Sequence, residues 1–136
     1  MEMTLEMVHG LIFQALAQAQ NEFKRPLCVA VCDKNGLLVS FARMPGAPVR
    51  SIAIAQGKAY TAARMGVGTD AFLERLRRED LSASYFCDPL LTALPGGVVL
   101  KDAAGAVVGA AGVSGLASHE DQAVANAMAA MSQKAP

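Results

Sequence analysis

The chain has 136 residues, 53% of them hydrophobic and 18% charged, and its twelve basic residues are offset by twelve acidic ones. A chain of that length fits a single domain, 1–136, able to bury about two-thirds of its unfolded surface without disulfide or metal staples. The balanced charge and the lack of tryptophan argue against nucleic-acid binding and against an anionic membrane, while the apolar surplus points to tightly packed helices and to a homo-oligomer.

The first segment, from Thr4 to about Phe23, reads as an amphipathic helix, with Leu5, Val8, Ile12, Ala15, Leu16, Ala19 and Phe23 at three- and four-residue steps. Thr4 is its expected N-cap and Pro26 closes it. A hairpin follows, with strands Leu27–Cys32 and Leu37–Phe41 around the turn residues Asp33-Lys34-Asn35-Gly36. Val49 to about Met65 is helical again, with Ile52, Ala53, Ala55, Ala59, Tyr60 and Ala63 on its apolar side. Thr69 is the expected N-cap of a short helix reaching Arg78, with Phe72, Leu73 and Leu76 inward. Ser82–Leu94 is expected to be loop with a short strand near Leu90–Ala93. Pro95-Gly96-Gly97 then turns into a second hairpin, Val98–Leu100 and Val107–Val113, around Asp102-Ala103-Ala104-Gly105. The last helix starts at Ser118, with Asp121 placed for a capping box, and runs to about Ser132. Hairpins interrupted by helices, without βαβ alternation, predict an α+β fold in which helices pack on an antiparallel sheet.

Cys28 and Cys32 lie on one strand, on the same face and too far apart to bridge, so both are expected to be buried small hydrophobes. No basic segment followed by an apolar stretch opens the chain and no apolar run is long enough to span a bilayer. A reducing cytoplasm is the expected compartment.

Three stretches together resemble the GlcG/HbpS-like family, which includes haem-binding and PduO C-terminal-like proteins, across nearly the whole chain. They are Phe41-Ala42-Arg43-Met44-Pro45-Gly46-Ala47-Pro48, the helix Ser51–Arg64 with its Lys58-Ala59-Tyr60-Thr61-Ala62-Ala63 block, and Gly109–Gly115 with Asp121 beyond. The resemblance implies a profilin-like fold, homo-oligomeric assembly, and a small-ligand role linked to haem or another tetrapyrrole. Pro45 departs from the family, where an acidic residue is common, so a polar contact beside Arg43 is in doubt.

The chain has two histidines. His9, at the edge of the first helix's apolar stripe, is either an axial haem ligand, and so the metal candidate, or an ordinary helix histidine with a routine hydrogen bond. His119 with Glu120 could move protons as a general base and its acid, or simply sit solvated in a first helical turn. The Gly112-Val113-Ser114-Gly115 turn before a helix could hold an anionic group on backbone N–H groups and the Ser114 hydroxyl, or merely allow close packing. Arg43, Lys58, Tyr60 and Arg64 are the polar ligand-binding candidates: Arg43 and Lys58 would neutralise acidic groups of a ligand, Lys58 could equally snorkel from a buried stem, and for Tyr60 and Arg64 a structural role is the leading alternative. Three functions fit: a haem-binding or tetrapyrrole-binding oligomer, a cofactor-independent catabolic enzyme acting on a small carboxylate, or an accessory assembly partner with no site. No close ligand spacing for a structural zinc site is present.

Overall fold

A computed structural model describes residues 3–135. Helix α1 spans Leu5–Gln18 and opens as expected, with Thr4 Oγ1 accepting from the Met7 N–H at 3.2 Å. Its buried face is Val8, Leu11, Ile12 and Ala15, continued by Ala19. Leu5, expected inward, is exposed, because the packed stripe runs through Leu11 and is rotated away from it. The helix widens at its end into a π-turn, Ala19–Phe23, where the Lys24 N–H donates to the Ala19 carbonyl and Lys24 turns left-handed.

Strands β1 (Cys28–Asp33), β2 (Leu38–Arg43), β3 (Gly97–Lys101) and β4 (Val107–Ser114) form one antiparallel sheet in the order β2-β1-β4-β3. The two hairpins are therefore fused through β1 and β4. Both turns use the same device. Asp33 Oδ1 accepts from the N–H groups of Asn35 and Leu37, and Asp102 Oδ1 accepts from those of Ala104 and Ala106. A glycine at positive φ, Gly36 or Gly105, completes each reversal, so the turn residue that carries the unusual conformation is the glycine and not Asn35.

Helix α2 (Ser51–Met65) covers one sheet face, while α1 and α4 (Ser118–Lys134) cover the other. Alternation along β1 divides the core accordingly: Val29 and Val31 pack with Leu11, Val124 and Met128, and Cys28, Ala30 and Cys32 pack with Ala55, Ala59 and Ala62. Both strand cysteines are buried and unbridged, as their spacing requires. Under α2 the register aligns Gly97, Gly112 and Ala30 in one row across three strands. That floor is nearly free of side chains. A Cβ at Gly112 would overlap the Ala55 carbonyl oxygen and lie 2.5 Å from the Ala59 nitrogen, so the alanine-rich helix rests directly on backbone.

Three local expectations change. Helix α3 (Thr69–Glu79) is capped by Gly68, and Thr69 Oγ1 instead accepts from the Gly97 N–H, tying the helix to the sheet. Helix α4 is capped at Ala117, so Glu120 rather than Asp121 holds the N3 position and accepts from the Ala117 N–H. Leu90–Ala93 forms no strand: the Thr92 N–H donates to Thr61 Oγ1 on α2, which pins this apolar stretch to the helix instead of a ladder. A short 3₁₀ turn, Ala83–Phe86, precedes it. On α2 itself the buried face is Ser51, Ala55, Lys58, Ala59, Thr61 and Ala62, and Ala53 is exposed.

Candidate functional site

One corner of the α2 face gathers several of the sequence candidates. Arg43, Cys28 and Ser114 pair across β2, β1 and β4, which places their side chains in one row pointing toward α2. Beyond Ser114, Gly115 adopts φ +130° and leads the chain into α4. Lys58 comes down from α2 to meet this turn. It is 2% exposed, and its Nζ donates to the Val113 carbonyl at 2.7 Å and to Asp121 Oδ2 at 3.1 Å. Asp121 Oδ1 accepts from the Leu116 N–H at 3.0 Å. Burial pushes the Lys58 ammonium down and the Asp121 carboxyl up, each opposed by its partner.

The pair stitches α2, the end of β4 and the start of α4 together. Its surroundings leave no slack: a Cβ at Gly96 would stand 2.7 Å from Lys58 Nζ and 3.0 Å from Asp121 Cβ. Beside the pair opens a notch of about 160 Å³ lined by Arg50, Ser51, Ser114, Gly115 and Ser118 as well as Lys58 and Asp121. Lys58, Ser114 and Gly115 thus converge, with Arg43 two strands over in the same row as Ser114. Gly112 does not face this space; the backbone of α2 occupies the volume above it.

Tyr60 belongs to a different place. Its hydroxyl donates to Asp88 Oδ2 at 2.6 Å, and the Arg64 guanidinium stacks 5.1 Å from the ring centroid. The bond to Asp88 pushes the Tyr60 phenol up and holds the Asp88 carboxyl down. Behind Tyr60 runs an apolar cleft of about 520 Å³ between α2, the β1–β2 hairpin and Pro89–Thr92. Cys32 lies in its wall, where burial pushes the thiol up to about 12, so no thiolate is available there.

His119 and Glu120 diverge. Adjacent residues on a helix point about 100° apart, and His119 lines a groove with Asp70, Leu73 and Arg77 of α3, while Glu120 Oε1 accepts from Arg25 Nη2 and from the Ala117 N–H. The capping bond, with Arg25 behind it, holds the Glu120 carboxyl below its ordinary value of 4.5. An acid with a lowered pKa stabilises the fold above its unfolded value and loses that contribution as pH falls through the folded one. Glu120→Gln is therefore expected to flatten the acid limb of the stability curve below pH 4.5. Denaturant titrations across that range check it; superimposable acid limbs would refute the linkage.

His9 stands on the outer face of α1, on the opposite side of the sheet from α2, and its side chain makes no hydrogen bond or ion pair among the described residues. Leu5, 58% exposed, and Phe13, 73% exposed, lie one turn before and one turn after it, so the three form a continuous line on the helix. Met131 of α4, also partly exposed, adjoins at Gly10. The sequence stripe placed Leu5 inward and hid this line. The exposed Phe13 at i+4 from His9 was the signal that could have shown it.

The family model described as haem degrading protein HbpS-like matches residues 3–130. The chain belongs to the HbpS-like family. Among solved structures, this HbpS-like chain is similar to a PduOC:heme complex, at 25% identity over 96% of this chain and 95% of that one, with a TM-score of 0.86. It is similar to HbpS at 30% identity, over 96% and 89% of the two chains, with a TM-score of 0.85. The protein ORFY of Klebsiella pneumoniae, at 23% identity over 98% and 92%, shares the fold with a TM-score of 0.87. No curated protein matches the sequence. No helix among the described residues is long and apolar enough to cross a membrane.

Proposed function

We propose that this protein binds haem or a closely related tetrapyrrole on the outer face of α1, with His9 as the axial donor. The observation that carries the reading is an imidazole without a partner among the described residues, set between exposed Leu5 and Phe13. A haem iron takes a neutral imidazole, a thiolate, a thioether or a tyrosinate. The 520 Å³ cleft offers only a protonated Cys32 and a Tyr60 already bonded to Asp88, whereas His9 is available. The line from Leu5 to Phe13 is about 12 Å long and supplies apolar cover for one side of a flat macrocycle. Bound haem would supply redox and oxygen chemistry; the chain supplies the donor atom and the apolar bed.

One helix face covers one side of the ring. The other side is covered in this reading by a second copy of the chain, whose identical stripe meets it about a two-fold axis. The family membership and the similarity to a haem complex support the ligand class. Three free thiols support a reducing, cytoplasmic setting.

Titration with haem, followed at the Soret band and by size-exclusion chromatography, tests the proposal. His9→Ala is expected to abolish or strongly shift the band, and Phe13→Asp to weaken binding by about tenfold or more. Leu91→Asp, in the cleft on the other side of the sheet, is expected to leave it unchanged. The opposite pattern, with binding lost in Leu91→Asp and intact in His9→Ala, would move the ligand to the cleft and overturn the assignment.

A further inference from the structure

The notch beside the Lys58–Asp121 pair has the chemistry of a second ligand site, and we propose that it binds a small carboxylate, independently of the surface around His9. Two of its walls carry hydroxyls that open onto the notch. Ser51 is 2% exposed and Ser114 is 5% exposed, both line the notch, and neither side chain has a hydrogen-bond partner among the described residues. Neither oxygen is sealed off: both side chains are bent inward yet keep solvent contact at the notch, where an arriving ligand can meet them.

The remaining lining agrees in sign. Lys58 spends two of its three N–H donors on Val113 and Asp121, which leaves one for a third acceptor. Arg50 is exposed at the rim and makes no ion pair among the described residues. The single carboxylate in the wall, Asp121, is already matched by Lys58 and by the Leu116 N–H, so the two cations leave the notch with one positive charge in excess. Ser51 begins α2 and Ser118 begins α4, so two helix N-termini open onto the same space and both favour an anion.

Size sets the class. A volume of about 160 Å³ is well below that of a pocket for a drug-sized molecule and excludes a tetrapyrrole. Ile54 and Leu94 also line the notch and give the short carbon chain of an organic acid a surface to lie against. The carboxylate would lie between the two hydroxyls, the spare Lys58 N–H and Arg50.

Calorimetric titration and thermal unfolding with pyruvate and with malonate, at constant ionic strength and with 1,3-propanediol as the uncharged control, test the site. A saturable carboxylate signal with a rise in Tm of about 5 °C is expected, and none from the diol. Arg50→Gln, at an exposed position that leaves the fold alone, and Ser114→Ala are each expected to weaken binding by about tenfold. His9→Ala is expected to leave it unchanged. No saturation above the salt control, or affinity in Arg50→Gln and Ser114→Ala unchanged from the parent protein, overturns the proposal, and neither result bears on haem binding at α1.

Discussion

Replacing Lys58 with methionine is expected to destabilise the protein by about 3–5 kcal/mol, lowering Tm by roughly 10–17 °C for a chain of this size. The loss comes less from the missing attraction than from what stays behind. Asp121 would keep a buried carboxylate with one backbone N–H as its partner, and the Val113 carbonyl would lose its donor. The effect has a pH signature. Burial already holds the Asp121 carboxyl above its ordinary 3.8, and removing Lys58 raises it further. The folded state then binds a proton that the unfolded state releases, so stability falls as pH rises from 3.8 through the folded pKa. The gap between variant and parent should accordingly widen between about pH 4 and neutrality. The double variant Lys58→Met/Asp121→Asn, which keeps an acceptor for Leu116 without a charge, should recover most of the loss. Urea titrations of the three proteins at several pH values decide it; a single variant within about 1 kcal/mol of the parent would show that water reaches the pair.

Gly112→Ala is expected to be the most damaging single methyl in the sheet, costing about 3 kcal/mol or more. The added Cβ would meet the Ala55 carbonyl and the Ala59 nitrogen, both backbone atoms of α2 that no rotamer change can move. Relief requires the helix to lift from the sheet, which would also loosen Lys58. Gly66→Ala provides the contrast. That residue ends α2 at φ +73° with no atom within 4 Å of a new Cβ, so its cost is the left-handed strain alone, about 1 kcal/mol. Comparable losses for the two variants would mean that α2 yields easily and that the close approach has little energetic weight.

The element order and the antiparallel, helix-covered sheet were readable because each rests on local signals. Period-three-to-four apolar spacing marked α1 and α3, and Asp-x-x-Gly marked both reversals. What sequence could not supply was the inward face of α2. Lys58, Ser51 and Thr61 are polar, and a helical wheel turns them toward water; they are buried because Gly97 and Gly112 let the helix come close, with Lys58 and Thr61 bonded to buried acceptors and Ser51 facing the notch. The partner of Lys58 lies 63 residues away on another helix, beyond any local pattern. Asp121 was noticed for a capping role that belongs to Glu120, an error of one position that hid its inward turn. His119 and Glu120 looked like neighbours in sequence, but the helix carries them to different sides. Gly112 was read as part of an anion-holding turn, and what the structure places against it is the backbone of α2.

The fusion of the two hairpins has a consequence for how the chain is made. Residues 28–33 find their inner neighbour only in residues 109–114, so during synthesis the early ribbon waits with one strand flank unsatisfied until nearly all the rest has emerged. Such distant pairing slows self-assembly and leaves a sticky apolar border open to other nascent copies. Production at low temperature or with chaperone assistance should therefore raise the soluble yield, because the hazard lies in the interval before the two ribbons meet.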